Sequence, residues 1–203
     1  MATAAQHRLT PASDTTPVIV RIPERELSGA HWVSRFPGSN STTDLISPFR
    51  EKADAFISAL RAAGASVVMI ATYRPKERAY LMHYSSAVAR GTIKAVDVPE
   101  MEGVGIEWTH STDEESKSAA KAMANGYQIV FPPALVSRHT ARAAMDISLS
   151  WTSDLNIIDN SGDTVEIKST PRNNMNKDLH EVGASYGVYK LVSDKPHWSD
   201  NGR

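Results

Sequence analysis

Across residues 144–151 the chain alternates strictly: Met145, Ile147, Leu149 and Trp151 fall on one side, Asp146, Ser148 and Ser150 on the other. Side chains along a strand point to opposite faces with a period of two, so this segment lays one face on a core and turns the other to a polar surface. Asp146 therefore points away from the core. Directly upstream lies Ser137-Arg138-His139-Thr140-Ala141-Arg142-Ala143, which brings an imidazole close to the start of the same strand.

Helical periodicity surrounds this strand. Ser47-Pro48 opens a helix over 48–63, where Phe49, Ala53, Phe56, Ile57, Leu60 and Ala63 recur at helical spacing until Gly64. Residues 66–73 form a buried strand that delivers Arg74 at its end, and Pro75 starts a second helix over 75–90. A strand, an arginine and a helix start together suit an anion or an oxyanion. Residues 92–110 are irregular and suit the cover of a cleft. Asp113-Glu114-Glu115 place acids at the positive end of a third helix, over 112–125, which Gly126 stops. Residues 128–131 are expected to be extended, before a turn at Pro132-Pro133. Asp159-Asn160-Ser161-Gly162-Asp163 forms a hairpin turn into 164–168, a fourth helix covers 176–185, and 187–191 is a last strand. A short strand at 18–22 and a loop at 38–43 carry no visible chemistry.

Composition narrows the chemistry open to such a chain. At 203 residues it is long enough to bury a core without disulfides, and it holds no cysteine. Thiolate metal sites and cysteine nucleophiles are excluded together, so any metal is held by imidazole and carboxylate. A formal charge of -1 with scattered lysines and arginines gives no basic footprint, and nucleic acid is not expected as a partner. No run of about 18 apolar residues occurs, so no membrane span is expected. Residues 1–16, rich in Ala, Thr and Ser, form a flexible N-terminal leader without the apolar run of a secretory signal. The expectation is a protein made in the cytoplasm, with residues 17–203 as one domain.

His139 and Asp146 gain company near the C-terminus from Asp194-Lys195-Pro196-His197, again just after a strand. Two imidazoles and one carboxylate make a three-ligand set for a divalent metal, and three protein ligands leave the fourth position of tetrahedral zinc open. The pair His139 and Asp146 alone says little, because such spacings are common by chance. Other histidines offer less. His180-Glu181 lacks the second histidine a zincin helix requires, nothing supports His83 or His110 as ligands, and His7 and His31 are expected to be solvated.

Ser137-x-His139-x-x-x-x-Ala144-x-Asp146 resembles the S-x-H-x-x-G-x-A-x-D signature of peptidase family M15, the zinc peptidases of the VanY/VanX and L-alanyl-D-glutamate endopeptidase group, which cut peptidoglycan peptides. Ala71-Thr72-Tyr73-Arg74 resembles that family's S-G-Y-R segment, and Asp194-Lys195-Pro196-His197-Trp198 its C-terminal E/D-x-x-H. The resemblance covers about 47–199. Two departures stand out: Arg142 occupies the motif's glycine position, so the loop must take a conformation that a side chain permits or the arginine has its own role, and Asp194 replaces a glutamate, as in the endolysin-type branch.

Carried over, the resemblance implies that His139, Asp146 and His197 bind Zn2+, and that Asp194 takes a proton from the metal-bound water and returns it to the leaving amine. Arg74 would face the developing oxyanion or a substrate carboxylate. Ser137 would hydrogen-bond substrate or fix the His139 loop, and Trp198 would line the cleft or pack in the core. The implied fold is α+β and Hedgehog/DD-peptidase-like: a small, mainly antiparallel sheet with helices on one face and the metal on the other.

The function implied is a zinc metallopeptidase hydrolysing a peptidoglycan stem-peptide amide, with the L-Ala-D-Glu bond favoured by Asp194 and a D-Ala bond, as carboxypeptidase or DD-endopeptidase, as the competitor. Such a hydrolase would act in the periplasm or cell wall, delivered as a phage endolysin through a holin pore or as a secreted antibacterial effector, the latter with an immunity protein as a possible partner. A metal-pinned, catalytically silent wall-binding module of the same fold is the alternative, and retention of Asp194 argues against it.

Overall fold

The computed structural model describes residues 25–130 and 132–203; the leader at 1–16, the strand expected at 18–22, His7 and Phe131 lie outside the described residues. Strand β1 (Glu26–Leu27) opens the described chain. Helix α1 (Phe49–Ala62) buries Phe49, Ala53, Phe56, Ile57 and Leu60, the predicted stripe. Gly64, at φ 88, ends it in the left-handed conformation glycine tolerates best. Strand β2 (Ser66–Ala71) follows, then α2 (Lys76–Ala89) behind Pro75. Strand β3 (Ile106–Glu107) pairs in parallel with β1. In α3 (Asp113–Gly126) the Thr112 hydroxyl accepts from the Glu115 N–H at 3.1 Å, capping a first turn with three acids.

Strand β4 (Ala144–Ser150) is the central alternating segment. Strands β5 (Leu155–Ile158) and β6 (Thr164–Ile167) form the predicted hairpin about Asp159 and Gly162. Asn176 caps α4 (Lys177–Ser185) by accepting from the Leu179 N–H at 3.0 Å. Two short strands, β7 (Tyr189–Lys190) and β8 (His197–Ser199), complete an antiparallel sheet of order β2-β4-β8-β7. The protein is thus α+β with mainly antiparallel pairing. Among the described residues no helix is long and apolar enough to cross a membrane.

One face of this sheet is covered. Met145, Ile147 and Leu149 are buried with Phe56 and Leu60 of α1, Leu179 and Val182 of α4, and Ile157 and Ile167 of the hairpin. Each such side chain contributes roughly 1.5–3 kcal/mol when fully buried. The other face stays open, with Ser148 and Ser150 exposed and Asp146 half-buried.

Four sequence expectations need correction. Residues 66–71 are not a buried strand: β2 is a sheet edge, with Val68 and Ile70 58% and 54% exposed while Val67 and Met69 pack on the core. A continuous apolar run suggests burial on both faces, but among the described residues nothing covers the face shared with Ser148. Residues 128–130 are not extended either. Gln128, at φ 56, closes the end of α3 by donating to the Asn125 carbonyl, and Ile129 donates to that of Ala124.

The third correction concerns the helices. Only α1 and α4 pack on the covered face of the sheet; α2 and α3 lie against each other and build a second core with Trp32, Tyr80, Leu81, Trp108, Met123 and Tyr127. Fourth, residues 92–110 supply Val104, Ile106 and Trp108 to that second core instead of covering the cleft that holds the histidines.

Candidate metal centre

His139 sits in a turn that its own neighbours lock. The Ser137 N–H donates to the Thr140 hydroxyl at 3.0 Å, and that hydroxyl donates back to the Ser137 carbonyl at 2.8 Å. Further along, the Arg142 N–H donates to the His139 carbonyl at 3.2 Å and Ala143 to that of Arg138 at 2.8 Å. Arg142 stands at φ 59, in the left-handed region that glycine tolerates best and few other residues enter. Its guanidinium lies 4.3 Å from the centre of the Tyr73 ring, a contact that offsets part of the strain.

Asp146 and His197 are directly opposed across β4 and β8, so both side chains stand on the open face. There His139 Nε2, His197 Nδ1 and Asp146 Oδ1 form a triangle with all three sides 3.1 Å. Both rings are buried.

The outer nitrogen of each ring fixes the protons. His139 Nδ1 lies 2.8 Å from the Thr72 carbonyl and His197 Nε2 3.1 Å from the Arg203 carbonyl. A carbonyl only accepts, so both outer nitrogens carry the hydrogen, and in neutral rings the inward nitrogens present bare lone pairs. Three lone pairs therefore point at one spot, an arrangement that repels itself until a cation or a proton enters. Burial pushes the Asp146 carboxyl up; once a proton enters on the inward side of the rings, hydrogen bonds and charge from His139 and His197 outweigh burial and hold the group below the usual carboxylate range.

The donor set fits a metal ion. Tetrahedral bonds of about 2.0–2.1 Å place ligand atoms roughly 3.3–3.4 Å apart, close to the 3.1 Å separations seen. Imidazoles whose far N–H is bonded to carbonyls are the usual metal-binding arrangement, because the outer bond sets tautomer and ring angle. The His139, Asp146 and His197 group can thus hold a metal ion.

The trio opens into a cleft of about 690 Å³, whose walls also carry Arg74, Ser137 and Asp194. Arg74 is half-buried, and among the described residues its guanidinium has no hydrogen-bond partner; its backbone N–H donates to the His139 carbonyl at 3.3 Å. Burial pushes that guanidinium down from its ordinary value and the charge of Arg78 adds to this, while Asp146 and Asp194 oppose it. Asp194 is exposed and lines the cleft from the loop between β7 and β8. Ser137 both lines the cleft and closes the turn that holds His139.

Trp198 does not line the cleft. It is wholly buried, packs its ring 5.3 Å from that of Phe56, and donates its indole N–H to Asn174 Oδ1 at 2.9 Å. Neighbours on a strand face opposite ways, so a ligand at 197 forces the next residue into the core. The remaining described histidines are engaged elsewhere: His31 pairs with Glu26, His83 with the Pro133 carbonyl, His110 with Ser28 and His180 with the Asn174 carbonyl.

Sequence reasoning missed Lys190. Its ammonium donates to the carbonyls of Leu191 and Asp194, each at 2.5 Å, and of His197 at 3.0 Å, tying the loop that carries Asp194 to the strand that carries His197. Burial pushes it down to about 8, against the pull of Asp194 and Asp146. A lysine just before an Asp-x-x-His segment carries no signal by itself. Arg138 was equally silent; its guanidinium forks onto the Asp200 carboxylate beside the cleft. No protein-family model and no curated protein matches the chain.

Proposed function

We propose that this protein is a zinc-dependent peptidase of peptidoglycan stem peptides, an endolysin or antibacterial effector acting in the periplasm or cell wall, with the L-Ala-D-Glu amide as the favoured bond. The observation that carries the reading is the convergence of three lone pairs on one point at the floor of an open cleft. Two imidazoles and one carboxylate without thiolate suit zinc in a catalytic setting. Zinc held this way supplies Lewis acidity and lowers the pKa of water to about 7.

The chain's own groups divide the remaining work. Asp194, exposed on the wall with its backbone pinned by Lys190, accepts a proton from the attacking water and returns it to the leaving amine. Arg74, whose guanidinium has no hydrogen-bond partner among the described residues, offers a planar fork to the oxygen that gains charge or to a carboxylate beside it. Thr72 and Arg203 hold the two rings by their carbonyls.

Digestion of purified peptidoglycan with and without a chelator, followed by mass spectrometry of the fragments, tests the reading. Release of stem-peptide fragments that stops on chelation and returns with zinc is the expected result. Zinc-loaded protein that binds the wall without releasing fragments would instead be a binding module.

A further inference from the structure

A second groove adjoins the metal cleft. It encloses about 420 Å³, and its walls are built from the 38–40 segment, the end of β2 and the first turns of α2. Arg74 and His139 line both spaces, so the groove continues the cleft past the metal trio. Among the described residues no aspartate or glutamate lines it, but two arginines do, Arg74 and Arg78.

Arg78 is placed by its stem and one nitrogen. Its guanidinium stacks 4.8 Å from the centre of the Tyr127 ring, and Nη1 donates to the Val33 carbonyl at 3.1 Å. Among the described residues its other N–H groups have no acceptor, and neither do those of Arg74. Gly38 lies close to the end of β2 and to Arg78: a Cβ there would stand 3.0 Å from the Tyr73 carbonyl and 3.8 Å from Arg78 Nε. Two guanidiniums with spare donors, one held by Tyr127 and Val33 and neither in an ion pair among the described residues, raise each other's energy until an anion bridges them. Planar forks match a planar carboxylate better than a spherical ion.

We infer that Arg78, together with Arg74, forms a carboxylate subsite that recognises an acidic residue adjoining the scissile amide. The inference rests on the peptidase reading for its substrate but not for its geometry. It makes Arg78 a specificity residue, and it selects stem peptides whose acidic residue keeps a free carboxylate over those in which that group is amidated.

Calorimetry and turnover with one pair of stem tetrapeptides, carboxylate and amidated, test it on the zinc-loaded full chain and on its Arg78→Met and Arg78→Lys variants. Methionine keeps an apolar stem over Tyr127, lysine keeps the charge without the fork, and a thermal melt of each checks folding. The parent should bind the carboxylate peptide about tenfold more tightly than the amidated one, as a charge-assisted hydrogen bond implies. Arg78→Met should bring that ratio close to one, with Arg78→Lys between.

An equal ratio in the parent and Arg78→Met overturns the subsite, and if the peptides are still cut the peptidase reading stands. A ratio that collapses in the variant while neither peptide is cut keeps the subsite and sinks the peptidase reading. Absence of both binding and cleavage overturns both.

Discussion

His197 Nδ1 lies 3.1 Å from Asp146 Oδ1 because the two residues are partners in the register of β4 and β8. The sheet, more than the loop, therefore sets half of the metal geometry. His197→Ala should lose zinc and hydrolysis together, since two remaining ligands hold the ion poorly. Asp194→Ala should retain zinc and lose roughly 100-fold or more in turnover, the usual contribution of a positioned general base. Metal analysis of the purified variants beside a fragment-release assay separates the two; cleavage by Asp194→Ala at the parent rate would remove the base assignment.

Acid should unfold the metal-free protein through Asp146. Its carboxyl is held below the ordinary range in the folded chain, so the stabilisation is complete above the unfolded value of about 3.9 and fades as pH falls further, through the folded value. Urea midpoints of chelated protein should fall below about pH 4. Asp146→Asn should flatten that limb, and an unchanged slope in this variant would assign the acid sensitivity to other groups.

Arg142 offers a test of backbone strain against a side-chain contact. Arg142→Ala keeps the left-handed φ of 59 and loses the Tyr73 stack, so it should be destabilised by about 0.5–1 kcal/mol. Arg142→Gly also loses the stack but relieves roughly 1–2 kcal/mol of strain, partly offset by glycine's greater entropy loss of roughly 0.5–1 kcal/mol. Glycine should therefore be the more stable variant in urea titration. The reverse order would mean that the turn is not strained.

Trp198 should report on packing and not on substrate. Trp198→Phe leaves Asn174 Oδ1 without its donor and opens a void against Phe56, a loss of about 1–3 kcal/mol. Its KM for stem peptide should match the parent's. A raised KM at full zinc occupancy would return this residue to the cleft.

Local signals carried most of the elements. The acids at 113–115 marked the start of α3, the stripe of α1 followed its period, and the alternation of β4 fixed which way Asp146 points. The same alternation rule places Trp198 in the core once His197 is taken as a ligand, but β8 is only three residues long and shows no period of its own. Pairing was not legible. That β2 is an edge, and that α2 and α3 turn away to make their own core, depends on which faces other segments leave uncovered. The carbonyls of Thr72 and Arg203 belong to the backbone, which every residue shares, so nothing in the sequence marks them as the groups that orient the two rings.

Lys190 binds three carbonyls on both sides of the turn bearing Asp194. The arrangement separates two demands on one loop, a fixed backbone and a free side chain. Its main chain is moored, so His197 keeps its place opposite Asp146. The Asp194 side chain stays outside that mooring and is exposed, which leaves it the freedom to swing that the proposed proton transfer requires.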